Sequence, residues 1–179
     1  MNKYLRALVV IPTGFFKTLC LKVFHPNKFK GVQFAQISPF TEITLDGGKL
    51  EIGKNFKMRD GAKIRVRKGA VCIIGKNVSV NCNNMIACRE HIEIGDNVEF
   101  SPNVQIYDHD HDFRAEGGIK AKKYKTAPVV IGDNVWIGAN TVILRGTKIG
   151  DNAVIAAGSI VKGEIPPNSV FIQKRRNRQ

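Results

Sequence analysis

An apolar residue recurs at every sixth position through most of this 179-residue chain, and that period excludes most folds at once. The tetrapeptide Ile-Gly-x-Asn opens each unit, at Ile52–Asn55, Ile74–Asn77, Ile94–Asn97, Ile131–Asn134 and Ile149–Asn152. Within the units the series runs Ile52, Met58, Ile64; Ile74, Val80, Ile86; and Ile94, Phe100, Ile106. The last stretch, Ile131, Ile137, Ile143, Ile149, Ile155 and Val161, has no slip. A period of six matches neither the 3.6 of a helix nor the 2 of a half-buried strand. It suits a solenoid whose coil has three short strands and three corners, one inward residue per side, with coils stacked about 4.8 Å apart. A β-sandwich of short strands would not hold so fixed a register. Gly and Asn beside each Ile are expected at corners that need positive φ.

The unit starts differ by 22, 20, 37 and 18 residues, so against an 18-residue coil the excesses are 4, 2, 19 and 0. Small excesses predict widened corners, one of them at Cys88-Arg89-Glu90. The large one predicts a loop thrown out within residues 107–130. Long loops on a rigid repeat scaffold are where function concentrates. Pro166-Pro167 is expected to end the register. The organisation expected is a basic amphipathic segment over 1–30, a β-helix over 31–170 and a basic tail over 171–179.

Charge is segmented in the same way. The net charge of +13 resides in residues 1–30 (+6), 114–125 (+4) and the tail (+4), so the remainder is close to neutral. These segments match no nucleic-acid motif and rarely interleave aromatics, which argues against a nucleic-acid partner. Anionic lipid headgroups, acidic glycans or a phosphorylated cofactor fit better. The four cysteines form no CxxC pair and no zinc spacing, which points away from disulfides and structural zinc and toward a reducing, cytoplasmic compartment. No uninterrupted apolar run approaches the roughly 18 residues of a spanning helix. Residues 1–30 alternate cations with Leu5, Leu8, Val9, Ile11, Phe15, Phe16, Leu19 and Phe24. Pro12 and Gly14 are expected to break any single long helix there. Such a segment can cap the first coil, the reading favoured here, or make peripheral contact with an inner membrane surface.

The block Val130–Ala139, continuing through Ile149-Gly150-Asp151-Asn152 to Ala156-Ala157-Gly158-Ser159, resembles the hexapeptide-repeat acyltransferases. Over about residues 34–170 the chain looks most like the maltose/galactoside O-acetyltransferases and their relatives in capsule and lipopolysaccharide decoration. The resemblance implies a left-handed parallel β-helix, a homotrimer with sites between subunits, and acetyl-CoA as acyl donor. It also implies that the base lies five residues after the last inward residue before the loop. In Ile106-Tyr107-Asp108-His109-Asp110-His111, that residue is His111. The chemistry agrees: a sugar hydroxyl is a weak nucleophile at neutral pH, and an imidazole can take its proton during attack on a thioester, without an acyl-enzyme. Carried over by resemblance, Asn83 and Trp136 would face the acceptor. His109, the loop's other imidazole, is the alternative base or a further acceptor contact, and both histidines could also be ordinary residues of a solvated polar loop. The Ala139 amide would meet the oxyanion and Ala157 the pantetheine. Lys162, Lys174, Arg175 and Arg176 would meet the 3′-phosphate of CoA. Cys88 and Arg89 stand where the family's acidic residue is expected, and Val170–Arg176 replaces its common Gly-Asn-Pro-Ala corner.

Other readings remain open at this point. The acceptor could be the amine of a nucleotide sugar, or the chain could be a β-helical scaffold without catalysis. A γ-carbonic-anhydrase-like metal site using His109 and His111 with His91 or His25 is the least favoured, because the histidine spacing does not match that enzyme's pattern.

Overall fold

Every residue named above on the six-residue period is buried, Ile52 being the most exposed of them at 5%. In the computed structural model, which describes residues 3–31 and 35–173, these side chains fill the inside of a left-handed parallel β-helix of about six turns. Its three faces are parallel sheets of seven, seven and six strands. Face 1 stacks Phe29–Gly31, Lys49–Ile52, Val71–Ile74, His91–Ile94, Val129–Ile131, Lys148–Ile149 and Glu164–Ile165. Face 2 stacks Gln36–Ile37, Lys57–Met58, Ser79–Val80, Glu99–Phe100, Trp136–Ile137, Val154–Ile155 and Val170–Phe171. Face 3 stacks Glu42–Leu45, Lys63–Val66, Met85–Cys88, Gln105–Tyr107, Val142–Ile143 and Ile160–Val161. Ladders keep like positions in line, as in Ile94↔Ile131 and Ile106↔Ile143.

Gly and Asn of the repeated tetrapeptide serve different ends, which corrects the expectation that both supply positive φ. Only the asparagines are left-handed, with φ of 58° at Asn55, 59° at Asn77, 57° at Asn97, 56° at Asn134 and 58° at Asn152. Asparagine tolerates that region because its short amide bonds locally. Here the amides also bond each other from coil to coil: Asn55 Nδ2 donates to Asn77 Oδ1 at 2.9 Å, and Asn77 to Asn97 at 2.8 Å. The glycines are required by stacking. A Cβ on Gly53 would lie 2.5 Å from the carbonyl carbon of Gly75 in the next coil.

All length variation falls at one corner, between faces 3 and 1. From the inward residue of face 3 to that of face 1 the chain takes ten residues at Ile64–Ile74, eight at Ile86–Ile94, twenty-five at Ile106–Ile131 and six at Ile143–Ile149. The other two corners keep six residues from one inward residue to the next in every coil, so the insertions collect at the third. The last passage takes only four residues, Val161–Ile165, and Phe171 then follows six later. Pro166-Pro167 therefore does not end the register: Pro167 packs on Gly150, and Glu164–Ile165 and Val170–Phe171 add strands to two sheets. The solenoid likewise starts earlier than expected, since Phe29–Gly31 pairs with Leu50–Ile52.

The N-terminal segment is one helix, α1 (Lys3–Phe24), despite Pro12 and Gly14. Pro12 removes the N–H that would bond to Leu8 O, but it does so on the exposed side, and the packing of the opposite face on the first coil keeps the helix continuous. Val10, Gly14 and Thr18, four residues apart, are buried on the first coil. Gly14 is needed there: a Cβ would come 2.8 Å from the carbonyl carbon of Ala35. Lys17 crosses the junction, its ammonium donating to the carbonyls of Ser38, Pro39 and Thr41 at 3.2, 3.1 and 2.7 Å. Ala7–Phe24 corrects the expectation that no apolar stretch approaches the length of a spanning helix, with mean hydropathy 1.7 over 18 residues. By length and composition it could cross a membrane, because two lysines do not offset its aliphatic and aromatic content. All four cysteines are free thiols. Neighbouring Cys72 and burial push the Cys88 thiol upward.

Candidate active site

The excursion predicted over 107–130 is an antiparallel hairpin, His109–His111 against Tyr124–Thr126, closed by a short 3-10 turn at Gly118–Ala121. Its first strand reads Asp-His-Asp-His-Asp, and strand alternation sends the two residue types opposite ways. Each aspartate anchors the hairpin. Asp110 takes Arg145 Nε at 2.6 Å from the following coil, and Asp112 pairs with Lys125 at 3.3 Å across the hairpin.

Asp108 is the deepest anchor and is fully buried. Its carboxylate accepts the amides of Arg89 and Glu90, at 2.9 and 2.7 Å, where the widened corner after face 3 turns its N–H groups toward it. It also meets His109 Nδ1 at 2.9 Å. Burial works to raise the Asp108 carboxyl, but the bonds from His109, Glu90 and Arg89 outweigh it and hold the group below the usual carboxylate range. The Asp108 carbonyl closes the neck of the loop by accepting Ala127 N–H at 2.9 Å.

Both histidines turn toward Tyr124. His111 lies against its ring with centroids 4.6 Å apart, and His109 meets it edge-on at 5.5 Å. The guanidinium of Arg89 sits 3.4 Å from the same ring centroid. His111 is exposed, while His109 is mostly covered, with 16% of its side chain accessible. The hairpin thus presents one open imidazole beside one imidazole fixed by a buried carboxylate.

The remaining expected site residues lie elsewhere on the same chain. Trp136 is 54% exposed on face 2 and donates from Nε1 to Ser101 Oγ at 3.1 Å. Ala139 and Ala157 occupy the corner between faces 2 and 3 in successive coils, where Gly158 N–H donates to Ala139 O at 2.8 Å. A Cβ on Gly138 would lie 2.5 Å from Ala157 N, so this corner is narrow and lined by backbone. Asn83 is at the same corner further along the axis, with φ of 58° and its N–H on Asp60 O at 3.0 Å. Lys162 is exposed on the last coil. Lys174, Arg175 and Arg176 lie outside the described residues. Asn83, Ala139 and Ala157 therefore share one corner, Trp136 stands on the face beside it, and the histidines rise from a different corner. His91 stands on face 1 with Glu93 at 3.4 Å, and among the described residues no three metal-binding side chains converge.

Sequence reasoning gave no role to Asp108, Tyr124 or Arg145, and met Arg89 only as a corner residue standing where the family's acidic residue is expected. The alternation at 108–112 was the available signal, since it marks a strand with one acidic face and one imidazole face. The partners come from three separate segments and carry no local mark.

The pattern described as "Bacterial transferase hexapeptide (six repeats)" matches residues 128–163. A galactoside O-acetyltransferase of Escherichia coli K12 is 45% identical over 97 residues, covering 54% of this chain and 47% of that protein. The chain spans about half the length of the first curated relatives it matches. An Escherichia coli K12 protein named as a lipopolysaccharide biosynthesis O-acetyl transferase, WbbJ, is 33% identical over 161 residues, covering 86% of this chain and 79% of that one. A galactoside acetyltransferase solved in complex with coenzyme A superposes with a TM-score of 0.54 at 28% identity, over 89% of this chain and 76% of that one. With the solenoid, the corner excursion and a relative matched along most of both lengths, the chain belongs to the hexapeptide-repeat acetyltransferase family.

Proposed function

We propose that this chain transfers an acetyl group from acetyl-CoA to a hydroxyl of a sugar, glycan or glycan precursor, with His111 as general base. The observation that carries the reading is the hairpin. It is the long excursion from an otherwise regular scaffold, two of its aspartates fasten it to the coils, and it holds an exposed imidazole in place. In the reaction His111 takes the hydroxyl proton as the acceptor oxygen bonds to the thioester carbon. The oxyanion rests on the Ala139 N–H; its collapse breaks the C–S bond, and the CoA thiolate takes the proton back from His111 and leaves as the thiol, the acetyl group remaining on the acceptor oxygen. No covalent enzyme intermediate is needed. The narrow backbone-lined corner at Gly138, Ala139 and Ala157 is suited to a pantetheine arm, and the exposed Trp136 beside it to the acceptor.

Because one chain puts its histidines and its Ala139–Ala157 corner on different edges of the prism, a complete site draws on two copies. A homotrimer with the hairpin of one subunit against the second corner of the next meets that need. The test is release of CoA thiol from acetyl-CoA with a panel of oligosaccharides, nucleotide sugars and their amino-sugar counterparts. Turnover with hydroxyl acceptors supports the reading, turnover confined to amines moves the acceptor class, and no CoA release with any member overturns it.

A further inference from the structure

α1 has two apolar faces, and only one is used. Val10, Gly14 and Thr18 pack on the first coil, whereas Leu8, Phe16, Leu19 and Val23 are exposed at 72, 62, 39 and 64%. With exposed Pro12 these residues follow the i, i+4, i+8, i+11, i+15 spacing of a single helical stripe, pointing away from the solenoid. A continuous outward stripe of this kind on a surface helix needs an occupant.

We infer that the stripe is seated in the interface of an anionic lipid bilayer, with α1 lying in the membrane plane. Charge selects this occupant. Residues 1–30 contain Lys3, Arg6, Lys17, Lys22, Lys28 and Lys30 and no acidic residue, so the segment carries a field that a negatively charged leaflet attracts. A second copy would bring the same six cations against themselves. Lys30 follows the helix with 82% of its side chain accessible and its ammonium 3.4 Å from Glu51. The exposed Phe24 lies at the same end.

The packing also decides between lying on the bilayer and crossing it. Crossing would carry the Lys17 ammonium away from its four oxygen partners on Ser38, Pro39 and Thr41 and would separate Gly14 from Ala35. The in-plane arrangement keeps those contacts and buries only the side that is already open. An open groove of about 430 Å³ between Phe16, Cys20 and Leu21 of the helix and Thr41 and Ile43 of the first coil continues the apolar surface past the stripe. Its one acid, Glu42, is engaged by Arg65 at 2.7 and 3.1 Å.

The experiment is co-sedimentation of the full chain with phosphatidylcholine vesicles, with and without phosphatidylglycerol. It is run on wild type and on the triple variant Phe16→Ser, Leu19→Ser, Val23→Ser, with the melting temperature and oligomeric mass of both recorded. Wild type should bind the anionic vesicles, release in high salt, and bind neutral vesicles poorly. The triple variant should lose more than about tenfold in vesicle affinity with its melting temperature and mass unchanged. No vesicle binding by wild type, or binding unaffected by the triple substitution, overturns the inference. So does a fall in oligomeric mass of the variant, which would give the stripe to a second copy. Wild type that leaves the vesicles only in detergent would make α1 a spanning helix instead.

Discussion

Nδ1 of His109 lies 2.9 Å from Oδ1 of Asp108, a carboxylate fully buried beneath the hairpin, whereas His111 two residues on has an aromatic ring for its neighbour. A positioned base needs both reach and orientation, and the two histidines divide these properties. His111 has the reach, being exposed at the end of the strand. His109 has the orientation and serves to hold the hairpin and Tyr124 in place. His111→Ala should therefore lower kcat by about 10²–10⁴ with the melting temperature unchanged. His109→Ala should lower both activity and hairpin stability. Steady-state kinetics and thermal melts of the two variants check this; a His111→Ala enzyme near wild type beside a dead His109→Ala would reassign the base.

Asp108 should give the hairpin an acid-sensitive stability. Its folded carboxyl is held below the usual range, so its contribution is complete above the unfolded aspartate value of about 3.9 and is lost as pH falls through the lower folded value. Asp108→Asn removes the charge and turns an amide N–H toward the donors of Arg89 and Glu90. That should cost about 2–4 kcal/mol at neutral pH. Denaturant melts across pH should show the gap between wild type and variant constant above pH ~5 and narrowing below it.

The solenoid was legible because its physics is local and repeated. One inward residue per side, a left-handed asparagine and a glycine under the next coil recur in every unit, so Ile131 to Val161 announces itself without any knowledge of partners. The site was half legible. His111's position in the loop could be counted from a ladder residue, Ile106, but its role as base came from the family resemblance and belongs to the proposal. Asp108 could not be assigned its role, since its partners at Arg89 and Glu90 are nearly twenty residues away and offer only backbone amides. The same limit hid α1. Pro12 and Gly14 look like breakers when local propensity is the only guide, but Gly14 is there to let the helix touch the first coil.

The asparagine ladder makes a quantitative claim about the repeat. Asn97 has φ of 57°, accepts Asn77 Nδ2 at 2.8 Å and donates to Asn134 Oδ1 at 2.9 Å. Asn97→Ala loses both amide bonds and places a Cβ-bearing residue without a local polar partner in the left-handed region, a cost of about 2–3 kcal/mol. Asn97→Gly loses the bonds alone and should be the milder change by about 1 kcal/mol. Chemical denaturation of both variants tests the order; equal losses would mean that backbone strain is not part of the cost.

Neutralising Lys174, Arg175 and Arg176 together should weaken acetyl-CoA binding more than tenfold, and desphospho-CoA should bind the wild type poorly. The three cations follow the last strand of face 2, and a charge-assisted bond to a phosphate is typically about 1.5–3 kcal/mol. Calorimetric titration of the two cofactors into wild type and variant checks it. Equal affinity for both cofactors would remove the tail from the cofactor site.

Whether α1 also protects the solenoid can be separated from its lipid contact, because the two roles use opposite faces. The strand Gln36–Ile37 is the terminal strand of its sheet, and a terminal strand with free N–H and C=O groups invites edge pairing. Gly14 and Thr18 lie over this end of the stack, and Lys17 satisfies three of its carbonyls. Lys17→Met keeps much of the aliphatic stem but removes the ammonium from the part-buried Thr41 carbonyl and the exposed Pro39 carbonyl, while Ser38 O keeps the Thr41 hydroxyl at 2.7 Å, a cost of about 1–3 kcal/mol. It should lower the melting temperature and increase aggregation on heating. Deleting residues 1–24 should do so more strongly, since it also uncovers the apolar residues that α1 hides. The outward triple serine variant should do neither. Thermal melts followed by light scattering separate the three: a truncated protein as heat-stable and as soluble as the full chain would show that the first coil needs no cover, leaving α1 with its outward face alone to explain it.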